Sequence, residues 1–185
     1  MEKKTIFDMH RATPEEYRRS EKLPLVMVLD NIRSLNNIGS IFRTSDAFRV
    51  EQLVLCGITA TPPSVEIHKT ALGAEDTVAW SYCADTLEAV KDLQRRGYTV
   101  CALELVKDSV SLERFEVEKG KKYAIVAGHE VDGVRQDVVD ACDVCVEIPQ
   151  EGTKHSLNVS VSSALALWHF YQILRQPTSP AGLPR

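Results

Sequence analysis

Six short apolar runs recur along the chain and constrain its fold more than any other feature of the sequence. They occupy residues 25–30, 52–57, 77–83, 98–105, 122–128 and 144–149. Runs of this length that end at polar turns are typical of strands buried on both faces. The segments between them carry apolar residues at helical spacing. This alternation predicts an α/β fold, in which a mostly parallel sheet has helices on both faces.

Helix-end signals support this interpretation. Thr13 and Glu16 form a capping-box pattern that predicts a short helix ahead of the first strand. Asp85 is the expected N-cap of a middle helix, and Gly97 is its expected C′ residue. The last helix is predicted over residues 156–174, where apolar residues at spacings of three and four create one broad face that must be covered.

Length and composition favour a single domain. The chain has 185 residues, of which 44% are hydrophobic, so it can bury a substantial core. We expect an extension over residues 1–24, one domain over residues 25–176, and a flexible tail over the proline-rich residues 177–185. No apolar run approaches the ~20 residues that cross a bilayer, and the cysteines lack the spacing of a disulfide framework. We therefore expect a cytoplasmic protein with reduced thiols.

The overall charge counts mildly against a nucleic-acid partner. The chain has 22 basic and 26 acidic residues, for a net charge of −4, so no positive field surrounds the whole molecule. Basic residues do cluster near the N-terminus, at Lys3, Lys4, Arg11, Arg18, Arg19 and Lys22. Taken alone, such a cluster is most simply interpreted as a solvated face.

Three loops that follow predicted strands are richer in polar residues than a plain connection needs, and parallel sheets bind ligands at such strand ends. The first loop, residues 30–43, has Gly39 as its single glycine, which argues against a dinucleotide-binding loop. With Asn37 at the helix cap, Asn37 and Arg43 would both face the strand ends. The alternative is that Asn37 only caps the helix and Arg43 pairs with a surface carboxylate such as Asp46.

The second loop, residues 128–133, places His129 and Glu130 between Gly128 and Gly133. Flanking glycines suit the close approach of backbone to a ligand, and the alternative is a tight turn with exposed charges. The string lacks the second histidine of a zinc-protease motif. Cysteines at 142 and 145 have no second pair to complete a tetrahedral site, so we expect structural thiols and no metal.

The third loop, residues 148–160, crowds Ser156, Asn158 and Ser160 around the start of an otherwise apolar helix. An ordinary helix start needs one capping side chain. The surplus of hydroxyl and amide groups indicates a polar ligand or a close backbone crossing, with simple packing as the alternative.

Together, the strings NNIGSIFR, AGHEVDG and IPQEGTKHSLNVS resemble the three ordered motifs of the SpoU, or TrmH, family of RNA ribose methyltransferases in the SPOUT superfamily. The resemblance extends from about residue 25 to residue 174. It implies a C-terminal deep trefoil knot whose loops hold the cofactor S-adenosylmethionine. It also implies a homodimer with sites at the subunit boundary, which would cover the apolar last helix.

The resemblance also implies roles for individual residues. Arg43 would act at the ribose 2′-hydroxyl with Asn37 placing it, and Glu130, Ser156 and Asn158 would complete the polar pocket. Because a guanidinium with a pKa above about 12 is a poor base, we interpret Arg43 as a bidentate clamp on the neighbouring RNA phosphate. The proton would then go to water or to Glu130. Cofactor contacts are expected at Leu103, Gly128, Ile148, Pro149, Leu157 and Ser160.

The substrate follows less directly from the resemblance. Family members often carry methionine where this chain has Gln150, which changes one wall of the cofactor pocket. We expect RNA as the partner, with tRNA favoured over ribosomal RNA because the form is compact, and the N-terminal basic cluster as the RNA-binding face. The rival hypothesis is a catalytically silent module that binds RNA, the cofactor or both.

Overall fold

Seven strands form one sheet in which every strand pairs in parallel with its neighbours. They are seen in a computed structural model that describes Lys3 and residues 11–175. The strands are β1 (Leu23–Asp30), β2 (Val50–Cys56), β3 (Trp80–Cys83), β4 (Tyr98–Leu103), β5 (Val110–Ser111), β6 (Lys122–Ala127) and β7 (Val144–Glu147). Their spatial order is β3-β2-β1-β6-β4-β7-β5, so β6 lies between β1 and β4. The predicted α/β fold is confirmed.

Helices cover both faces of the sheet. They are α1 (Pro14–Arg19), α2 (Leu35–Ala47), α3 (Val65–Ala71), α4 (Thr86–Arg95), α5 (Gln136–Ala141) and α6 (Val159–Leu174). Short 3-10 turns occupy Ala74–Asp76 and Leu112–Arg114. None of the helices within the described residues is long and apolar enough to span a membrane.

The alternating side chains of β1 divide the core between the two faces. Leu25, Met27 and Leu29 are fully buried against α2, α3 and α6. Val26 and Val28 are fully buried on the other face, among residues of α4 and α5. Full burial of such side chains stabilises the fold by about 1.5–3 kcal/mol each, so a central strand of this composition anchors both layers.

Several predicted helix ends are confirmed. Thr13 and Glu16 form both hydrogen bonds of a capping box at the start of α1. Asp85 caps α4 by accepting the N–H of Leu87, and Gly97 follows the helix with a φ of 83°. Lys4 of the basic cluster and the predicted flexible tail lie outside the described residues.

Other predicted bounds are wrong. The third strand begins at Trp80 because a 3-10 turn over Ala74–Asp76 precedes it, and the N–H groups of Thr77 and Val78 both donate to the carbonyl of Ala74 instead of to a neighbouring strand. The last helix begins at Val159 because the Asn158 side chain accepts the N–H of Ser160 and fixes the helix start there. Ser156 consequently lies in the exposed loop ahead of α6.

Candidate functional site

A single carboxylate joins the loops that follow β1 and β6. Glu130 accepts the backbone N–H groups of Arg33 at 3.0 Å and Ser34 at 2.9 Å. It also accepts the side-chain amide of Asn37 at 3.1 Å. Because β1 and β6 are neighbours in the sheet, their carboxyl ends bring these two distant loops to one point.

The environment of Glu130 keeps it ionised. Burial raises the pKa of this carboxyl group, but the hydrogen bonds from Arg33, Ser34 and Asn37 lower it, and the net pKa lies below the ordinary glutamate value. Donors that bond to the charged form favour that form. Glu130 is therefore a hydrogen-bond acceptor at neutral pH.

The third loop reaches the same point through Asn158. Its side-chain amide donates to Oδ1 of Asn37 at 3.2 Å. Oδ1 of Asn158 accepts both the N–H and the hydroxyl of Ser160, at 2.9 and 2.6 Å. Asn37, Glu130 and Asn158 thus form one connected polar network, with one member from each of the three loops singled out in the sequence.

The predicted placement of Asn37 and Arg43 is wrong for a single protomer. Ser34, not Asn37, is the N-cap of α2, and its hydroxyl accepts the N–H of Asn37 at 3.3 Å. At about 100° per residue, side chains six positions apart point in directions about 120° apart. Arg43 is exposed and makes no hydrogen bond or ion pair with any described residue, so the alternative pairing with Asp46 is also absent.

A cavity of about 300 Å³ lies beside the polar network, at the carboxyl ends of β6, β4 and β7. Four of the six predicted cofactor residues line it, namely Leu103, Gly128, Ile148 and Leu157. Glu130, Gln150 and Ser156 line it too. Pro149 is exposed and Ser160 lies in the first turn of α6, and neither lines the cavity.

The two glycines of the second loop serve a close approach of the backbone to itself. A Cβ on Gly128 would lie 2.1 Å from the carbonyl carbon of Gly133. His129 and Gly133 exchange both backbone hydrogen bonds, which closes the loop. The ring Nδ1 of His129 accepts the N–H groups of Val131 and Asp132, so this histidine shapes the turn.

The sequence of the chain matches a model of a known protein family. The model described as the SpoU rRNA methylase family matches residues 24–168. The chain belongs to the SpoU rRNA methylase family. It is 33% identical over 158 residues to the 23S rRNA (guanosine-2'-O-)-methyltransferase RlmB of Nitrosomonas europaea, covering 83% of this chain and 58% of that protein. It is 26% identical to a putative TrmH family tRNA/rRNA methyltransferase of Staphylococcus saprophyticus, covering 85% and 62%.

Solved structures of SpoU proteins share the fold. The AdoMet-bound rRNA methyltransferase of Sinorhizobium meliloti superposes with a TM-score of 0.75 at 23% identity, covering 86% of this chain and 59% of that one. The TrmH/SpoU tRNA-modifying enzyme of A. aeolicus superposes with a TM-score of 0.74 at 27% identity, covering 86% and 79%. The chain spans about three fifths of the length of the curated SpoU relatives that it matches.

Two carboxylates that the sequence analysis missed hold the SpoU second loop in place. Glu104, directly after β4, accepts the N–H of Val134 at 2.8 Å. Asp30, fully buried at the end of β1, accepts the N–H of Arg135 at 3.0 Å. Their position at the ends of predicted strands is the sequence feature that could have identified them. They fix the far end of the loop that carries Glu130.

The predicted RNA-binding cluster and the predicted structural thiols have ordinary local surroundings. Arg18 donates to the carbonyl of Asp76, Arg19 lies 3.8 Å from Glu15, and Lys22 donates to the carbonyl of Ser20.

All five cysteines are free, and burial raises the pKa of Cys56 and Cys142 to about 12. The described residues contain no group of three or more side chains arranged to hold a metal ion.

Proposed function

We propose that this chain transfers a methyl group from S-adenosylmethionine to a ribose 2′-hydroxyl in RNA, with residues 25–176 as the methyltransferase domain. The observation that carries the proposal is the network of Asn37, Glu130 and Asn158 beside a cavity lined by residues expected to contact the cofactor. Membership of the SpoU family and the names of its relatives support the reaction class.

The size and the lining of the cavity support its proposed role as the cofactor site. Its volume of about 300 Å³ lies at the lower end of the range for small-molecule pockets. Leu103, Ile148 and Leu157 offer apolar edges for an adenine or ribose ring, and the backbone around Gly128 offers polar groups. Pro149 and Ser160, which adjoin this lining in sequence, remain proposed cofactor contacts.

The residues of the network suit a reaction that depends on alignment. When bound, S-adenosylmethionine supplies a methyl group on a positively charged sulfur, which the ribose oxygen displaces in line. Glu130 would accept a hydrogen bond from the attacking hydroxyl, while the amide of Asn37 holds that carboxylate in place and the amide of Asn158 holds Asn37. Because a lowered pKa makes Glu130 a weak base, we assign it orientation of the hydroxyl and acceptance of the proton late in the reaction.

We propose a homodimer formed through α6. Val161, Leu165 and Trp168 are exposed at spacings of four and three on this helix, and Leu157 continues the row. Behind them, the rings of Trp168, Phe48 and Tyr171 pack with centroids 4.9–5.6 Å apart. Contiguous exposed apolar rows of this kind mark interaction sites. A second copy of the same row would cover it in a symmetric interface.

In the proposed dimer, Arg43 can act at the site of the neighbouring subunit. This side chain is exposed and makes no hydrogen bond or ion pair with any described residue. α2, which carries Arg43, packs against α6. We therefore propose that Arg43 acts across the subunit boundary, as a bidentate clamp on the RNA phosphate beside the target ribose. Ser156 would contribute to the same pocket from the exposed third loop.

We also propose that the C-terminal part is threaded as a trefoil knot. Two features of the path support this. The chain enters β6 between β1 and β4, and then pairs β7 with the outer side of β4. From there it returns across the strand ends, and α6 packs against β1, β6 and α2.

A labelling experiment distinguishes ribosomal RNA from tRNA as the substrate. Relatives named as 23S rRNA methyltransferases support ribosomal RNA, while the preference for tRNA stays a prediction from the sequence. Labelled S-adenosylmethionine would be incubated separately with ribosomal RNA and with total tRNA. Label in one pool alone identifies the substrate class. Cofactor binding without label in either pool would favour the silent binding module instead.

A further inference from the structure

The cofactor cavity and the polar network use only part of the carboxyl edge of the sheet. The cavity lies over β6, β4 and β7, and the network lies over β1 and β6. Beyond β1, the edge continues over β2 and β3, where two large apolar side chains face solvent. Ile58, after β2, is 65% exposed, and Tyr82, in β3, is 53% exposed.

Three hydrogen bonds, joined by short stretches of backbone, connect the residues of this edge to the network. The hydroxyl of Tyr82 donates to the carbonyl of Gly57 at 3.0 Å. The N–H of Ile58 donates to Oδ1 of Asn31 at 3.1 Å. Two residues further along, the N–H of Arg33 donates to Glu130. We call the surface formed by Arg33, Ile58 and Tyr82 the β1–β3 edge.

The loops after β1 and β2 make a close contact within the β1–β3 edge. Asn31 has a φ of 58°, which is uncommon for a residue other than glycine. A Cβ on Gly57 would lie 2.2 Å from Oδ1 of Asn31, so only glycine allows this approach. A surface fixed in this way can bind a ligand without first being ordered.

Arg33 gives the edge its charge. Its backbone N–H holds Glu130, while its guanidinium is exposed and makes no hydrogen bond or ion pair with any described residue. In RNA, the 2′-hydroxyl and the 3′-phosphate are attached to adjacent carbons of the same ribose. A hydroxyl bound at Glu130 therefore places a phosphate next to the residue from which the Arg33 side chain extends.

We infer that the β1–β3 edge binds unpaired nucleotides that flank the target ribose, with Arg33 on a phosphate and Tyr82 stacked against a base. The inference rests on the proposed function and names its substrate class as single-stranded RNA. A free cation followed by an exposed aromatic ring is the arrangement by which proteins follow a single strand. Continuity with the polar network favours RNA over a second copy of this chain as the occupant.

Binding is measured by fluorescence anisotropy of a short labelled single-stranded RNA of mixed sequence and of the matching duplex. Replacing Tyr82 by Ala should weaken single-strand binding about tenfold, since stacking contributes this much per base. Tyr82→Phe should retain most of the affinity because the ring remains. Val110→Ala, on β5 at the opposite edge of the sheet, is the matched control and should have no effect.

Arg33 has a separate signature in the salt dependence. Arg33→Ala should reduce the slope of log Kd against log salt for the single strand by about 0.7, as expected for one lost phosphate contact. Ile58→Ser provides a second test of the apolar contact at an exposed position. Binding of S-adenosylmethionine, measured by calorimetry, should be unchanged in all these variants, which shows that they fold.

The outcomes separate the inference from the proposed function. Equal single-strand affinities for the parent protein, Tyr82→Ala and Arg33→Ala would overturn the inference, even if methyl transfer is observed. A change of oligomeric state in Tyr82→Ala would assign the edge to a second copy. If the parent protein transfers no methyl group but the variants lose single-strand binding, the result supports RNA binding at the β1–β3 edge and rejects the proposed reaction. If the parent protein binds neither the single strand nor the duplex, both the inference and the proposed function are rejected.

Discussion

Asn37 and Glu130 are 93 positions apart in the sequence, and a hydrogen bond of 3.1 Å joins their side chains. The contact exists because β6 inserts beside β1, which brings the loop after each strand to the same edge of the sheet. Everything proposed about the chemistry depends on this meeting of loops.

Replacing Glu130 by Gln should reduce methyl transfer by about 10²–10⁴, the usual contribution of a positioned proton acceptor. The change keeps the size of the side chain and removes its charge, so S-adenosylmethionine should still bind. Single-turnover transfer and calorimetry measure the two effects separately. Unchanged transfer by Glu130→Gln would remove Glu130 from the reaction.

The same substitution should alter how stability depends on pH. The folded pKa of Glu130 lies below its ordinary value of 4.5, so its contribution to stability is present above pH 4.5 and is lost as pH falls through the folded pKa. Urea unfolding should therefore show a smaller loss of stability on acidification for Glu130→Gln than for the parent protein. Parallel pH profiles would contradict the hydrogen-bonded carboxylate described above.

Arg43 should act from the neighbouring subunit. Arg43→Lys should transfer methyl groups much more slowly than the parent protein, because lysine lacks the planar fork that binds a phosphate in two places. In a mixed dimer of Arg43→Ala and Glu130→Gln subunits, one site regains both groups, and about half of the activity should return. A mixed dimer as inactive as either parent variant would place Arg43 in its own subunit's site.

The exposed row on α6 should hold the dimer together. Leu165→Glu introduces a charge at the centre of this row, and sedimentation should show a monomer with little transferase activity. Val65→Glu places the same charge at another exposed helical residue, on α3, and should remain dimeric. A dimeric Leu165→Glu protein would show that α6 is not the interface.

Gly128 should be irreplaceable for a packing reason. An added methyl group would clash with the backbone at Gly133, so Gly128→Ala should lower the free energy of unfolding by about 1–3 kcal/mol and weaken cofactor binding. Gly152 has open space at the corresponding position, and Gly152→Ala is the matched control. Equal stabilities of the two variants would contradict the tight loop closure.

Local patterns were sufficient to predict much of the fold. The apolar runs identified six of the seven strands, and capping residues such as Thr13 and Asp85 identified helix starts correctly. β5 was missed because two residues carry no periodicity. The start of α2 was misassigned because Ser34, Asn36 and Asn37 are all suitable caps, and only the fold decides among them.

The site was predictable in its members but not in its geometry. Polar residues at strand ends, together with the resemblance, singled out Asn37, Glu130 and Asn158. Their contacts depend on the order of strands in the sheet, which no local pattern encodes. The same reason explains why Glu104 and Asp30 were missed, since each holds a loop more than 25 residues away. The direction of Arg43 on α2 could not be predicted from the sequence, because it depends on where the helix actually starts.

The most direct test of the account follows labelled methyl groups from S-adenosylmethionine into ribosomal RNA or tRNA, with digestion to nucleosides. The account predicts label in 2′-O-methylated nucleosides with the parent protein, and little or none with Glu130→Gln. Label on a base, or equal transfer by both proteins, would contradict the assignment of the Asn37, Glu130 and Asn158 network to ribose methylation.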